Sequence, residues 1–193
     1  MKKTLLPVVM ILVATLFIAV MPTDAEGAIY KDTVRLHILA NSNSTEDQTL
    51  KLILRDSILE RYGKELSAFE SVEEAQRELT RELSDIEEFA DGKIKELGYE
   101  YKSTVTLEKE WYDTRQYEGF SLPCGYYTSL KIEIGEAEGE NWWCVMYPPM
   151  CLEASVKNEG EYTKTEQSLI KNNGYRVKFK LLEASSELFK RRK

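Results

Sequence analysis

Eight apolar residues, Val72, Ala75, Leu79, Leu83, Ile86, Ala90, Ile94 and Leu97, recur every three or four positions. Their mean step is about 3.6 residues, the period of an α-helix. A strand cannot use this spacing, because its side chains change face at every residue. The segment therefore predicts a long amphipathic helix whose apolar stripe must be buried against another element. Ser71 with Glu74 forms a capping-box start, and Gly98 suits the position just past the end. Asp91-Gly92 predicts a kink or break in the last turns. Glu73, Arg77, Glu78, Arg81, Glu82, Glu87 and Glu88 fall on the other faces, which read as solvated.

The segments on either side supply the partner for that stripe. Val34, Leu36 and Ile38 alternate with Arg35, His37 and Leu39, so they form a strand with His37 on the face opposite the apolar set. "NSNS" ends this strand. Thr45 then reads as an N-cap with Gln48 at the third helical position, and Glu46 and Asp47 complement the helix dipole. Leu50, Leu54, Ile58 and Tyr62, with Ile53 beside them, predict a helix ending near Gly63. Further on, Tyr101, Val105, Leu107 and Trp111 form one alternating set. Tyr126, Thr128, Leu130, Ile132 and Ile134 form another. Such alternation suits an antiparallel sheet with one wet face. "GEAEGEN" reads as a hairpin loop, and "NWWCVMYPP" as a central strand or one covered on both sides. The expected fold class is α+β, with two N-terminal helices packed on a mainly antiparallel sheet.

The ends of the chain differ from this middle. "MKK" followed by an uncharged run from Leu5 to Met21 and small residues at Thr23 and Ala25 predicts a signal peptide over residues 1–25. A retained anchor is the alternative, the run being at the short end of what spans a bilayer. Residues 26–160 then form the α+β signalling domain. Residues 161–193 form a tail with a short strand at Val177, Phe179 and Leu181 and a last helix ending in "KRRK". Those basic residues either complement a helix terminus or bring the chain close to an anionic membrane surface. The net charge of −7 argues against nucleic acid as a partner, since phosphate binding needs a clustered positive face.

Export would place Cys124, Cys144 and Cys151 in a disulfide-permissive space. A turn at Pro148-Pro149 brings Cys144 and Cys151 within reach of each other. A bridge there would contribute about 2.5 kcal/mol on the chain-entropy argument. Two buried thiols are the alternative, and Cys124 reads as a small buried residue.

Chemistry is harder to find. The sequence holds no phosphate-binding loop, dinucleotide fingerprint, HExxH or nucleophile elbow. His37 is the only histidine. A zinc site from His37, Cys144 and Cys151 lacks an obvious fourth ligand. No metal or cofactor is implied, and no catalytic set emerges. His37 is read as a sheet histidine bonded to the polar turn after it, as a partner contact, or as a general base. Trp142 and Trp143 are adjacent, so they face opposite ways on a strand. An aromatic cluster beside prolines is a common anchor for protein partners.

"VRLHILANSNSTEDQTLKLILRDSIL" resembles the opening motif of the stage II sporulation protein R family. "LPCGYYTSLKIEIGEAEGENWWCVMYPPMC" resembles its second motif, with the doubled tryptophan, the two prolines and the flanking cysteines. Ala137 stands where that loop is usually glycine-rich. The resemblance implies a protein made in the forespore and exported into the space between the forespore and mother-cell membranes. There it would activate a membrane-embedded aspartic protease that processes the precursor of sigma factor E. On this expectation the chain is a signal and not an enzyme. His37, Asn41, Asn43, Trp142, Trp143 and Pro148 are the candidate contacts. An exported cell-wall or peptide hydrolase using His37 is the alternative.

Overall fold

The strand that begins the resemblance, β1 (Val34–Leu39), is buried almost throughout, including Arg35 and His37. A strand buried on both faces belongs in the middle of a sheet, and the rest of the chain is arranged around that position. A computed structural model describes residues 7, 10–15, 29–66, 68–117 and 120–148. The expected leader boundary at Ala25, the half-cystine at Cys151 and the tail 161–193 lie outside the described residues. After β1 come α1 (Thr45–Leu66), α2 (Val72–Glu96), β2 (Ser103–Tyr112), β3 (Arg115–Tyr117), β4 (Phe120–Leu122), β5 (Gly125–Ile134) and β6 (Asn141–Tyr147). Among the described residues no helix is long and apolar enough to cross a membrane.

The main sheet has the order β2-β5-β1-β6. β1 runs parallel to β5, with Leu36 opposite Leu130. It runs antiparallel to β6, with Leu36 opposite Cys144. The sheet is therefore mixed, which corrects the mainly antiparallel arrangement expected from alternation. Alternation reveals which face a residue uses and says nothing about which strand lies beside it. The hairpin expected at Gly135–Asn141 is corrected for the same reason. β5 and β6 are not neighbours, and the segment between them crosses the end of β1 instead.

The alternating apolar residues of the sheet do meet the helices. Val34, Leu36, Ile38, Leu130, Ile132 and Ile134 share one buried cluster with Leu50, Leu54 and Ile58 of α1 and Ala75, Leu79, Ile86 and Ile94 of α2. Each fully buried side chain of this size contributes about 1.5–3 kcal/mol. The opposite face is not the wet face expected. Tyr127 and Ser129 are buried there, while Tyr126 is exposed. Fully buried Arg35 donates from Nε to the Cys144 carbonyl at 2.9 Å. Its guanidinium lies 5.1 Å from the Tyr127 ring centre.

Local signals account for most helix ends. Ser71 Oγ accepts the Glu74 N–H, and the Glu74 carboxylate accepts the Glu70 N–H. Gly98, at φ +85°, takes the left-handed conformation that stops α2. The expected break at Asp91-Gly92 does not occur. The helix continues because Asp91 turns its carboxylate away from the backbone ladder toward β2. It accepts Ser103 N–H at 2.7 Å, Ser103 Oγ–H at 2.9 Å and Lys102 Nζ at 2.8 Å. Glu87 likewise accepts the Val105 N–H at 3.0 Å. Two backbone donors at the start of edge strand β2 are thus satisfied by helix carboxylates, a way of closing an edge to other strands.

The chain separates into two compact units. One holds described residues 30–110 and 126–148. The other includes 111–125, where β3 and β4 pair antiparallel and Tyr112, Leu122 and Cys124 are buried. Cys124 is a thiol outside any disulfide.

Two glycines in the larger unit respond oppositely to a methyl group. A Cβ on Gly92 meets nothing within 4 Å, whereas one on Gly139 collides with the Ser42 carbonyl and the Ala40 side chain. Gly92→Ala is expected to stabilise the fold by about 0.5–1 kcal/mol. Gly139→Ala is expected to destabilise it by about 1–3 kcal/mol. Urea unfolding midpoints of the two variants check this pair.

Candidate functional site

The polar corner after β1 is built by its own side chains. Ser44, and not Thr45, caps α1: its Oγ accepts the Asp47 N–H at 3.1 Å, and its carbonyl accepts the Gln48 N–H. The cap moves because Thr45 already belongs to the helix, where its carbonyl accepts the Thr49 hydroxyl. Asp47 is buried and accepts Asn41 Nδ2 at 2.8 Å and Ser42 Oγ at 2.6 Å. Burial raises its pKa, and hydrogen bonds from Ser42, Asn41, Tyr101 and Ser44 outweigh that effect. The carboxyl titrates below its ordinary value.

This corner clasps the crossing segment. Asn41 Oδ1 accepts the Glu136 N–H at 3.0 Å, and Asn43 Oδ1 accepts the Glu140 N–H at 2.7 Å. The carbonyls of Asn41 and Ala40 accept the N–H groups of Glu138 and Gly139. Buried Lys51 donates to the Glu140 carbonyl at 2.8 Å and to Gln48 Oε1 at 2.6 Å. Ala137 sits at φ +54°, a conformation that favours glycine.

His37 lies on the far face of the sheet. Its Nδ1 is 3.0 Å from Glu110 Oε1 and 3.1 Å from Oε2. Its Nε2 is 2.7 Å from Asn141 Oδ1. The imidazole stacks on Trp143 with ring centres 3.8 Å apart and planes 17° from parallel. Glu110 comes from β2, His37 from β1, and Asn141 and Trp143 from β6. Ser129 of β5 also hydrogen-bonds to Glu110. Burial raises the Glu110 pKa. The His37 and Ser129 hydrogen bonds and the charges of His37 and Lys131 more than offset this, so its carboxyl titrates below the usual range. The side chain of His37 is 5% exposed, and both ring nitrogens are used within the fold. The polar turn expected to hold this ring bonds elsewhere, to the crossing segment.

The two tryptophans face opposite ways, as adjacent strand residues must. Trp142 packs against the core cluster, with Arg55 of α1 stacked over it at 4.2 Å. Trp143 lies against His37. Both are half-buried. Pro148 is buried in the turn after β6, following a cis peptide bond. Cys144 is buried. Cys151, the partner expected for it, is outside the described residues.

The structure therefore brings His37 and Trp143 together and holds Asn41 and Asn43 in a separate clasp. Sequence reading missed Glu110, Asn141, Ser129 and Asp47. Glu110 looked like one more carboxylate on a wet strand face. The available signal was that it shares an alternating strand with Glu108 and Lys109, which settles a face but not a neighbour. Among the described residues no group of three or more His, Cys, Asp or Glu side chains is placed to hold a metal ion.

The model of the family described as stage II sporulation protein R matches residues 30–157. The chain is 32% identical, over 181 residues, to stage II sporulation protein R of Bacillus subtilis (strain 168), covering 81% of each protein. No solved structure matches.

The lowered Glu110 pKa fixes a pH dependence. A carboxyl whose folded value lies below its unfolded value contributes stability above the unfolded value, about 4.3, and loses it as pH falls. Glu110→Gln is expected to lower stability at pH 7, with the gap from the unsubstituted chain narrowing below about pH 4. Urea titrations at pH 7, 5 and 3.5 measure the gap. A gap that stays constant across them contradicts the assignment.

Proposed function

We propose, from the premise that this chain belongs to the stage II sporulation protein R family, that it is the exported signal which activates a membrane-embedded aspartic protease. Its role lies in sporulation. The finer reading is that it leaves the forespore, reaches the space between the two membranes and binds the external face of the mother-cell protease. That protease then cleaves the precursor of sigma factor E. The observation that carries this reading is the extent of the family match, which runs from before β1 to beyond β6.

The geometry supports binding over catalysis. A general base needs a nitrogen that can reach a substrate proton. The ring of His37 spends both nitrogens on Glu110 and Asn141. Ser129, the hydroxyl nearest this arrangement in the network, is fully buried. A ligand activates an enzyme only by binding the active state more tightly than the inactive one. That task asks for a rigid surface, and strapping β2, β1 and β6 through one imidazole provides rigidity. A disulfide from Cys144 to Cys151 belongs to the same reading. Of the candidate contacts, Asn43 is exposed and Asn41, Trp142 and Trp143 are half-buried. On this reading they are the contacts with the partner, while His37 and Pro148 act from beneath.

The test is co-production of the full chain, the protease and the sigma factor precursor in cells lacking the native signal. Precursor cleavage should require the chain and should vanish when residues 1–25 are deleted. Cleavage that is independent of the chain overturns the proposal. In the same assay Trp142→Ala and Trp143→Ala separate contact from packing. A variant that keeps its melting temperature within a few degrees and loses cleavage marks a contact.

A further inference from the structure

We infer that the exposed stripe of α1 centred on Leu52 and Ile53 is the docking face for a basic, apolar-anchored segment of the partner protein. This rests on the reading of the chain as a protease activator. The periodic residues of α1, Leu50, Leu54, Ile58 and Tyr62, enter the core. Leu52 and Ile53 fall outside that stripe and are 37% and 39% exposed. Ile53 was expected beside the core residues, and the helix turns it outward. A leucine and an isoleucine side by side on a helix face, each more than a third exposed, leave apolar area in water.

The surroundings of the pair identify the occupant. From Thr45 to Glu60 the exposed charged residues are Glu46, Asp56 and Glu60, with Thr49 between them. Neither basic residue of this span is exposed. Lys51 is buried, and the guanidinium of Arg55 both stacks over Trp142 and pairs with Asp56 at 2.6 Å. The stripe is therefore an apolar centre in an acidic rim. A second copy packed on this face would bring its own Glu46 and Glu60 to the same acidic rim. The chain's net charge of −7 would add to that repulsion. An anionic lipid surface is repelled for the same reason. A protein segment with an aliphatic or aromatic side chain flanked by lysine or arginine satisfies both parts of the face. Arg55 also ties this helix to Trp142 of β6.

The experiment uses the full chain in the co-production assay. Leu52→Lys with Ile53→Lys should reduce precursor cleavage at least tenfold, with the melting temperature within a few degrees of the unsubstituted chain. Glu88→Lys, an exposed reversal on α2, should leave cleavage unchanged. A photo-crosslinking amino acid at position 53 should form an adduct with the protease. Mass spectrometry should place that adduct beside lysine or arginine. Normal cleavage by the double variant, or equal loss from Glu88→Lys, overturns the inference. So does an adduct with a second copy, with lipid, within the chain itself, or with nothing. If the unsubstituted chain drives no cleavage, the activator reading fails. If it drives cleavage and the double variant does too, only the docking face fails.

Discussion

β1 lies between β5 and β6, so the chain leaving β5 must pass over the end of β1 before it can return as β6. Most of the described architecture follows from that crossing. The crossing segment is largely exposed, and its path over the strand end must be fixed by bonds that replace water on its backbone donors, each contributing about 0.5–1.5 kcal/mol net. The corner at Asn41–Ser44 answers this directly. Two amide side chains and two carbonyls take four consecutive or near-consecutive N–H groups of the segment. Gly139 is needed where the two backbones come closest. Asp47 fixes the corner from the helix side, and Lys51 reaches across to Glu140. The helix cap and the strand crossing are therefore one hydrogen-bonded unit.

The second constraint is that a central strand has no wet face. Arg35 and His37 project to the side away from the helices, and both are buried. Each meets neighbours from other strands: the Cys144 carbonyl and the Tyr127 ring for Arg35, Glu110 and Asn141 for His37. Burying a polar group costs little when its hydrogen bonds are met and a great deal when they are not. These two residues therefore act as cross-ties. Their polarity makes the register of β1 specific, since a one-residue slip would drive Arg35 and His37 into the apolar core.

Sequence reading succeeded where the cause is local. The 3.6-residue period of α2 was visible because its stripe, apart from the terminal Leu97, packs against one core. The Ser71 cap and the Gly98 stop are set by residues a few positions apart. The opposed faces of Trp142 and Trp143 follow from the pleat alone. It failed where the cause is distant. The parallel pairing of β1 with β5 joins residues far apart in the chain, and alternation is the same for either neighbour. Glu110 could not be distinguished from Glu108 until β1 placed His37 beside it. Thr45 and Ser44 are equally good caps by residue type, and only the geometry of Asp47 decides between them. Asp91 was read as a breaker because its tie to Ser103 lies outside the helix.

Position in the sheet and position in the chain are reversed for β1. Among the described strands it is synthesised first, yet both of its neighbours, β5 and β6, come after α1, α2, β2, β3 and β4. Contacts of such long range form late. During biosynthesis the nascent polypeptide must therefore carry both flanks of an apolar strand unpaired until its C-terminal partners emerge. A ribosome stalled before Asn141, or a truncation there, leaves a sticky intermediate in place of a smaller working protein.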